Sequence, residues 1–443
     1  MNIQLSDHFT FGRLLRFTLP SIIMMVFTSI YGVVDGIFVS NFAGKTPFAA
    51  INLIMPYLMV WGTLGFMVGT GGTALISMTL GMGDRKKANE LFSMLTYVCV
   101  IGGVILTVIS MIFMRPAAIA LGATGAMLED CVTYGLIVQI ALTAYILQYA
   151  FQSFCVTAEK PNLSLGMMVA AGVCNIVLDA LFVAVFRWGL VGAAAATAIA
   201  QILGAVIPLV YFARPNSSLL RLGKCGFDGK ALLRTCANGS SELMSNMSMS
   251  IVNMLYNLQL LNYAGEDGIA AYGVIMYVNF VFISVYIGVV IGAAPIIGYN
   301  YGADNRAELK NIFRKSLLLL AAFAVAMTLA AELLSGPLSG IFVGYDENLL
   351  SMTSGGFMIY ALSFLVCGFN IFGSSMFTAL NNGLVSAVIS FLRTLVCQIA
   401  AVMILPIFFG LDGIWWSIVA AELAALCLTV FCFVKFKDRY HYA

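Results

Sequence analysis

The chain has 443 residues, of which 61% are hydrophobic and only 9% are charged. Soluble domains usually carry about 25% charged residues, so a soluble globule is excluded. The net charge of +2 gives no basic surplus to hold a nucleic-acid backbone, and no nucleic-acid partner is expected. Because one span needs about 20 apolar residues, the length predicts a polytopic helical membrane protein with roughly 11 to 13 spans.

Histidine and cysteine usage argues against an enzyme. The two histidines, His8 and His441, lie in the polar termini, so the membrane body holds no histidine metal site or catalytic histidine. The ten cysteines are scattered without C-x-x-C spacing and are interpreted mostly as small buried hydrophobic residues. No Ser–Lys pair in the spans suggests a nucleophile. We therefore expect no catalytic residue and no cofactor.

Hydropathy, together with the polar segments that separate the apolar stretches, predicts twelve spans. In chain order they cover approximately 16–41, 47–80, 88–113, 128–157, 162–186, 190–213, 235–263, 268–300, 310–334, 349–379, 383–409 and 412–435. With the N-terminus inside, eighteen of the 22 Lys and Arg residues fall in inner segments and only three in outer loops. The positive-inside rule therefore predicts that both termini are cytoplasmic.

The chain also contains an internal repeat with a shift of 221 residues. The shift places “SNFAGKTPFAAINLIM” (40–55) on “LNYAGEDGIAAYGVIM” (261–276). It also pairs residues further along the chain, among them Gly71 with Gly292, Gly81 with Gly302, Arg85 with Arg306 and Gly189 with Gly410. Since each half has six spans, both halves enter the membrane from the same side, which predicts parallel repeats about an axis along the membrane normal.

These features predict an all-α polytopic membrane protein with two parallel six-helix lobes around a central cavity. The N-terminal lobe is residues 1–213, a polar cytoplasmic linker is 214–234, and the C-terminal lobe is 235–443. Such an architecture is typical of an alternating-access carrier. A channel is the structural competitor, but channels more often line one pore with a repeated selectivity element, and no segment resembles a filter loop.

After the acids assigned to the loops and tails are subtracted, five carboxylates remain in the predicted spans, and each is a candidate functional residue. They are Asp35, Asp179, Glu242, Glu332 and Glu422. A charge in the bilayer core costs about 2.5–3.5 kcal/mol on insertion scales. After the basic residues assigned to the inner and outer segments are subtracted, Arg393 alone remains in a span, and it is expected to neutralise Glu422 in the neighbouring span. Glu332 is close enough to the outer boundary to reach the interface.

Three residues of the N-terminal half are predicted to lie at a similar depth in the membrane, and a fourth shares a helix face with one of them. At 1.5 Å per residue, Asp35, Asp179 and Thr197 lie roughly 9–11 Å below the outer boundary. Asn175 precedes Asp179 by four residues and shares its helix face. If the four side chains converge, they form an all-oxygen site for a proton or for Na⁺ bound at the two aspartates. The alternative is that these side chains only join helices by hydrogen bonds.

The C-terminal half does not repeat this site, because the shift places Tyr256 opposite Asp35 and Ala400 opposite Asp179. Its polar residues instead form a stripe on one face of the seventh span. The stripe consists of Glu242, Asn246, Asn253 and Asn257. We interpret it as a substrate site, in which Glu242 attracts a cation, or as a second ion site. Hydrogen bonding between helices is the competing explanation.

Four segments together carry a recognisable pattern. They are “TLPSIIMMVFTSIYGVVDGIFVSNFAG” in the first span, the loop “GMGDRKKA”, “NIVLDALFV” in the fifth span and “GAAPIIGYNYGADN” in the eighth. Over essentially the full chain, the sequence resembles the multidrug and toxic compound extrusion (MATE) transporters, most closely their bacterial MepA-like branch. The resemblance implies twelve helices in two lobes, and export of drugs and other organic cations in exchange for H⁺ or Na⁺.

The resemblance also implies roles for individual residues. The cation site of the N-terminal lobe falls on four residues, namely Asp35, Asn175, Asp179 and Thr197, and Pro20 matches the proline at which the first helix bends. Glu242 matches less well, because other branches place an acid in the seventh span for Na⁺ coupling, but its neighbours here do not establish the equivalence.

We therefore expect a secondary active multidrug antiporter in the bacterial plasma (inner) membrane, working as a monomer on small organic cations. The 24 Met, 32 Phe and 18 Tyr residues are suited to an adaptable cavity wall. The alternative is a lipid-linked glycan flippase of the same superfamily. That substrate would favour a strongly cationic cavity, whereas Arg393 is the only basic residue within a span.

Overall fold

The computed structural model describes residues 3–42, 45–344 and 346–443, with the side chains of residues 33, 35–42, 45, 46 and 48 outside the described part. All regular elements in that part are helical, as predicted. They are α1 (Phe11–Phe42), α2 (Lys45–Gly81), α3 (Arg85–Ile112), α4 (Met114–Ala120), α5 (Gly125–Ile140), α6 (Leu142–Thr157), α7 (Pro161–Asp179), a π-helical turn (Ala180–Val185), α8 (Gly189–Ala213), α9 (Gly229–Gly302), α10 (Arg306–Val343), α11 (Glu347–Ala361), α12 (Phe364–Ala379), α13 (Gly383–Phe391), a second π-helical turn (Leu392–Cys397) and α14 (Gln398–Tyr440).

Twelve membrane crossings can be traced through the described helices. Eight helical segments are long and apolar enough to cross, and two pairs, α5 with α6 and α11 with α12, each form one crossing bent by 58° and 49°. Two of the eight segments are themselves broken, at Gly265 (φ 64°) and at Gly410 (φ 59°). Glycine tolerates this left-handed backbone, which lets the chain turn back into the membrane. The predicted twelve-helix, two-lobe fold is confirmed.

A repeat-related pair of contacts joins the lobes on the face that carries both termini, here called the terminal face. A Cβ atom at Gly81 of α2 would collide with the carbonyl oxygen of Tyr299 in α9, and one at Gly302 of α9 would collide with that of Met78 in α2. The 221-residue shift converts the first contact into the second. The two contacts are therefore related by a pseudo-two-fold axis, and they close the space between the lobes at the terminal face.

The linker between the lobes lies against α3. Residues 214–228 are non-helical, and the last six residues of the predicted linker, 229–234, belong to α9. Arg85 donates to the carbonyl oxygens of Ser218 (3.0 Å) and Leu219 (3.2 Å). Asp228 caps the start of α9 by accepting a hydrogen bond from the backbone N–H of Ala231 at 3.1 Å.

Apolar side chains cover the outside of the helices. On α3, a stripe of residues is more than half exposed, namely Ile101, Val104, Ile105 and Val108. Their spacing of three and four residues places them on one helix face. In a protein with twelve crossings, such a face contacts lipid rather than water.

Candidate functional site

Five of the predicted site residues line two cavities among the described helices. The smaller cavity, of about 390 Å³, lies mainly within the N-terminal lobe and is lined by α1, α2 and α5 to α8, with two residues of α9. Asn175 and Thr197 both line it. Asp179 is fully buried one turn further along α7 from Asn175. Asp35 belongs to α1, but its side chain lies outside the described residues.

The backbone changes its helical form directly after Asp179. The α-helix ends at that residue, and the next six, Ala180–Val185, form the π-helical turn. Insertions of this kind inside a helix are frequent at functional sites because they turn side chains away from the regular α-helical register. The structure thus brings Asn175 and Thr197 to one cavity, with Asp179 on the same helix face as Asn175. Whether all four predicted residues form one ion site stays a prediction.

Glutamine side chains form much of the polar wall of this smaller cavity. They are Gln139, Gln148, Gln152 and Gln201. Gln148 and Gln152 donate to the sulfur of the same residue, Met168, at 3.2 and 3.3 Å. The buried Gln139 Nε2, Gln152 Oε1 and Gln201 Oε1 atoms have no hydrogen-bond partner among the described protein atoms. Buried amides are normally satisfied, so these groups are available to water, an ion or a substrate.

The larger cavity, of about 910 Å³, separates the two lobes. It is lined by α1, α2 and α6 of the N-terminal half and by α9, α10 and α12 of the C-terminal half. Glu242, Asn246 and Asn253 of the predicted stripe face it, whereas Asn257 is not among the described lining residues. Asn246 donates to the backbone carbonyl of Glu242 at 2.9 Å, and Asn253 accepts from the Tyr272 hydroxyl at 2.9 Å.

Glu242 is the acidic residue of this central cavity. Among the described lining residues it is the only ionisable carboxylate, and Lys and Arg do not occur there. The aromatic lining residues are Phe66, Tyr145, Tyr149, Tyr277, Phe280 and Phe342. Aromatic faces attract organic cations, and five lining methionines, Met25, Met55, Met59, Met247 and Met249, supply flexible apolar contacts. The cavity is therefore suited to flat, positively charged molecules.

Arg393 and Glu422 of the C-terminal lobe neutralise one another, as predicted. Arg393 Nε lies 3.0 Å from both carboxylate oxygens of Glu422, and Nη2 lies 2.8 Å from Oε1. Asn370 donates to Glu422 Oε2 at 2.7 Å and accepts from the Thr429 hydroxyl at 2.9 Å. Because this carboxylate is fully hydrogen-bonded, Glu422 is a structural partner of Arg393, and Glu242 is left to face the cavity.

The glutamines and the aromatic pairs of the cavity walls were not predicted from the sequence. Tyr145 and Tyr149 are four residues apart on α6, with ring centroids 4.8 Å apart and hydroxyl groups at 3.2 Å. Uncharged polar residues cost much less in a span than carboxylates, so they raise no comparable signal. The spacing of four between Gln148 and Gln152 was the available sign, since it places both on one helix face.

Two parallel helical lobes around a central cavity define the class of protein, an integral membrane carrier. A model of the MatE family matches residues 20–181 and 243–404, which is one match in each half. The chain belongs to the MatE family, a family of membrane transporters and not of enzymes. The resemblance to MATE transporters inferred from the four sequence segments is thereby confirmed.

Relatives and solved structures agree with this assignment. The chain is 27% identical over 432 residues to the multidrug export protein MepA of Staphylococcus saprophyticus, covering 97% of this chain and 94% of that protein. It is 26% identical over 433 residues to MepA of Staphylococcus aureus strain MSSA476, with the same coverage.

Two solved structures share the fold at 21% identity. One is an outward-facing conformation of a multidrug resistance MATE family transporter of the MOP superfamily, with a TM-score of 0.91. The other is a MOP superfamily transporter from Pyrococcus furiosus whose binding pocket is described as having reverse polarity, with a TM-score of 0.90. Both comparisons cover 97% of this chain and 96% of the other.

Proposed function

We propose that the protein is a secondary active multidrug exporter, which expels organic cations in exchange for H⁺, or for Na⁺, by alternating access. Membership of the MatE family supports transport, and the name of the MepA relatives supports multidrug substrates. In this proposal the protein is a monomer in the bacterial plasma membrane. Residues 1–213 and 235–443 are the moving lobes, and the terminal face is cytoplasmic.

The observation that carries the substrate class is the position of Glu242 in the central cavity. One carboxylate among aromatic and methionine side chains attracts a cation electrostatically, while the apolar wall accommodates varied ring systems. In this proposal, the state in which the terminal face is closed around Gly81 and Gly302 is the one from which substrate leaves outward.

Ion coupling is assigned to the N-terminal lobe, at Asp35, Asn175, Asp179 and Thr197. The burial of Asp179 and the convergence of Asn175 and Thr197 on one cavity support this assignment. Ion and substrate need not touch each other. They need only opposite preferences for the two conformations, since each ligand shifts the equilibrium by its difference in affinity. Pro20, which lies inside α1, is the proposed hinge.

The competing function is a lipid-linked glycan flippase. Its substrate carries a pyrophosphate or phosphate group, which would call for basic residues in the cavity. The described lining contains none, and Arg393 is bound to Glu422 within the C-terminal lobe. The cavity therefore favours a cationic substrate over an anionic one.

Direct binding distinguishes the two functions. The purified protein should bind the fluorescent cation ethidium, and a lipid-linked sugar should not compete. Glu242→Gln should weaken ethidium binding by about tenfold, which corresponds to about 1.4 kcal/mol. The matched control is Glu266→Gln, an exposed carboxylate next to the Gly265 break. Binding of the lipid-linked sugar in preference to ethidium would contradict the proposal.

A further inference from the structure

The N-terminal strap, residues 3–10, binds to both lobes at the terminal face. Leu5 and Phe9 are fully buried although they precede the first helix. The N–H of Leu5 donates to Glu159 Oε1 at 2.6 Å, in the turn between α6 and α7. On the other side, Asn300 of α9 reaches the carbonyl oxygen of Leu5 at 3.5 Å. One residue thus bridges the N-terminal and C-terminal lobes.

Most hydrogen bonds of the strap to the C-terminal lobe are with the first turns of α10. Glu308 accepts hydrogen bonds from the N–H of Phe9 (2.9 Å) and lies 2.7 Å from His8 Nδ1. The carbonyl oxygen of Phe9 accepts from Asn311 (3.0 Å) and from Lys315 Nζ (2.6 Å). Both polar groups of the Phe9 backbone are therefore bound by charged or amide side chains of the C-terminal lobe, and charge-assisted hydrogen bonds are the stronger kind.

The repeat gives this arrangement a counterpart. The 221-residue shift places Glu308 on Lys87, and Asp228 on Asp7, the neighbour of His8. Lys87 Nζ lies 3.6 Å from the Asp228 carboxylate, at the place where the linker crosses the start of α3. The strap, which precedes the first helix of the N-terminal lobe, is thus fixed to the start of α10, the third crossing of the C-terminal lobe. The linker, which precedes the first helix of the C-terminal lobe, is likewise fixed to the start of α3, the third crossing of the N-terminal lobe. Because the contact has a symmetry-related counterpart, it is a feature of the repeated fold.

The strap also limits how far the lobes can separate. Phe9 is bound to α10, and α1 begins at Phe11, only two residues later. A fully extended chain spans at most about 3.6 Å per residue, so the start of α1 stays within roughly 7 Å of the Phe9 anchor. A passage to the terminal face between α1 and α10 therefore requires release of Phe9 from Glu308, Asn311 and Lys315.

We infer that the N-terminal strap is a releasable clasp, which holds the terminal face closed and detaches from α10 each time the protein opens to the cytoplasm. This inference rests on the proposed alternating access and on a cytoplasmic terminal face. After release from α10, the strap keeps its hydrogen bond to Glu159 and stays with the N-terminal lobe. The strength of the Phe9 and His8 contacts then sets the balance between the two conformations.

The first test measures opening without transport. Met78→Cys places a thiol at the seam between α2 and Gly302, and a membrane-impermeant maleimide is applied to everted vesicles. Labelling is read by mass spectrometry of the peptide that contains residue 78. Adding Glu308→Ala should raise the labelling rate about tenfold or more, because bonds to a charged acceptor are lost. Glu347→Ala is the matched control, as an exposed carboxylate in the first turn of α11. An unchanged rate with Glu308→Ala would overturn the inference.

The second test locks the strap. His8→Cys and Glu308→Cys are combined, and a short bis-maleimide joins the two positions in everted vesicles. Relative to the same double variant without the reagent, ethidium transport should fall in proportion to the cross-linked fraction. Each single variant, whatever its own starting rate, should transport equally with and without the reagent. Full transport by fully cross-linked protein would refute release of the strap. If the untreated protein moves no cation under any gradient, the proposed function fails, and the labelling test still decides on the clasp.

Discussion

Gly81 of α2 packs directly against the carbonyl oxygen of Tyr299 in α9, with no room for a Cβ atom between the two lobes. The repeat-related contact of Gly302 with Met78 doubles this seam. A Cβ atom added at Gly81 would collide with a main-chain atom, so turning a side chain could not relieve the clash. At this seam, contact between the lobes at the terminal face therefore depends on the absence of a side chain at Gly81 and at Gly302.

Gly81→Ala should destabilise the structure by about 1–3 kcal/mol, the usual cost of overpacking, and should favour separation of α2 from α9. The measurement is the thermal unfolding midpoint of the purified protein, together with maleimide labelling at Met78→Cys. The matched control is Gly102→Ala in α3, where an added Cβ would meet no atom within 4 Å. A stability equal to that of the control would contradict the seam.

Removing one member of the buried Arg393–Glu422 ion pair should lower the free energy of unfolding more than removing both members. Arg393→Met leaves Glu422 buried and unpaired, and such a loss usually costs about 3–5 kcal/mol. Adding Glu422→Gln should recover most of the stability, because the amide can still bond to Asn370. Arg115→Met is the control, since the exposed Arg115–Glu129 pair should contribute about 0–1 kcal/mol. Equal melting temperatures for the single and double variants at Arg393 and Glu422 would rule out a structural pair.

Glu159 should give the terminal face a measurable pH dependence. Burial of its carboxylate raises the pKa of Glu159 above the ordinary value of 4.5, although the hydrogen bond from Leu5 opposes the shift. A raised folded-state pKa means that the stabilising contribution is complete below the unfolded pKa and is lost as pH rises through the folded pKa. The unfolding midpoint should therefore fall over the range just above pH 4.5.

Glu159→Gln, which cannot ionise, isolates this effect. The difference in midpoint between the variant and the parent should grow as pH rises through the pKa of Glu159 and then level off. Glu129→Gln, at an exposed site outside the strap, is the control and should leave the pH profile of the parent unchanged. A parent midpoint that rises relative to Glu159→Gln over this range would mean that the pKa of Glu159 is lowered.

The sequence predicted the crossings and the repeat because both depend on composition and simple periodicity. Apolar segments of sufficient length must cross the bilayer as helices, and the pairing of Gly189 with Gly410 reappears in the structure as two left-handed turns, with φ values of 55° and 59°. The Arg393–Glu422 pair was predictable for a similar reason, since two opposite charges in neighbouring spans lower each other's cost.

The bends and the strap were not predictable from local pattern. The fourth crossing bends by 58° between α5 and α6 although no proline lies there, so the bend comes from packing against other helices. The strap is short and polar, and its decisive contact joins Phe9 to Glu308 across 299 positions in the chain. Neither hydropathy nor periodicity contains information about such a long-range hydrogen bond. The glutamine wall was missed because neutral side chains raise little signal in a span.

In the proposed mechanism, acids in the N-terminal lobe couple the proton gradient to cation export. The direct measurement is ethidium transport into everted vesicles at a fixed pH gradient in Na⁺-free buffer, for the parent and for Asp35→Asn and Asp179→Asn. Asp412→Asn, an exposed carboxylate near the Gly410 break, is the matched control. We predict pH-driven transport by the parent and the control, with loss in both coupling variants. Full pH-driven transport by either coupling variant would contradict its proton role, and parent transport that appears only with Na⁺ would assign the coupling to Na⁺ instead.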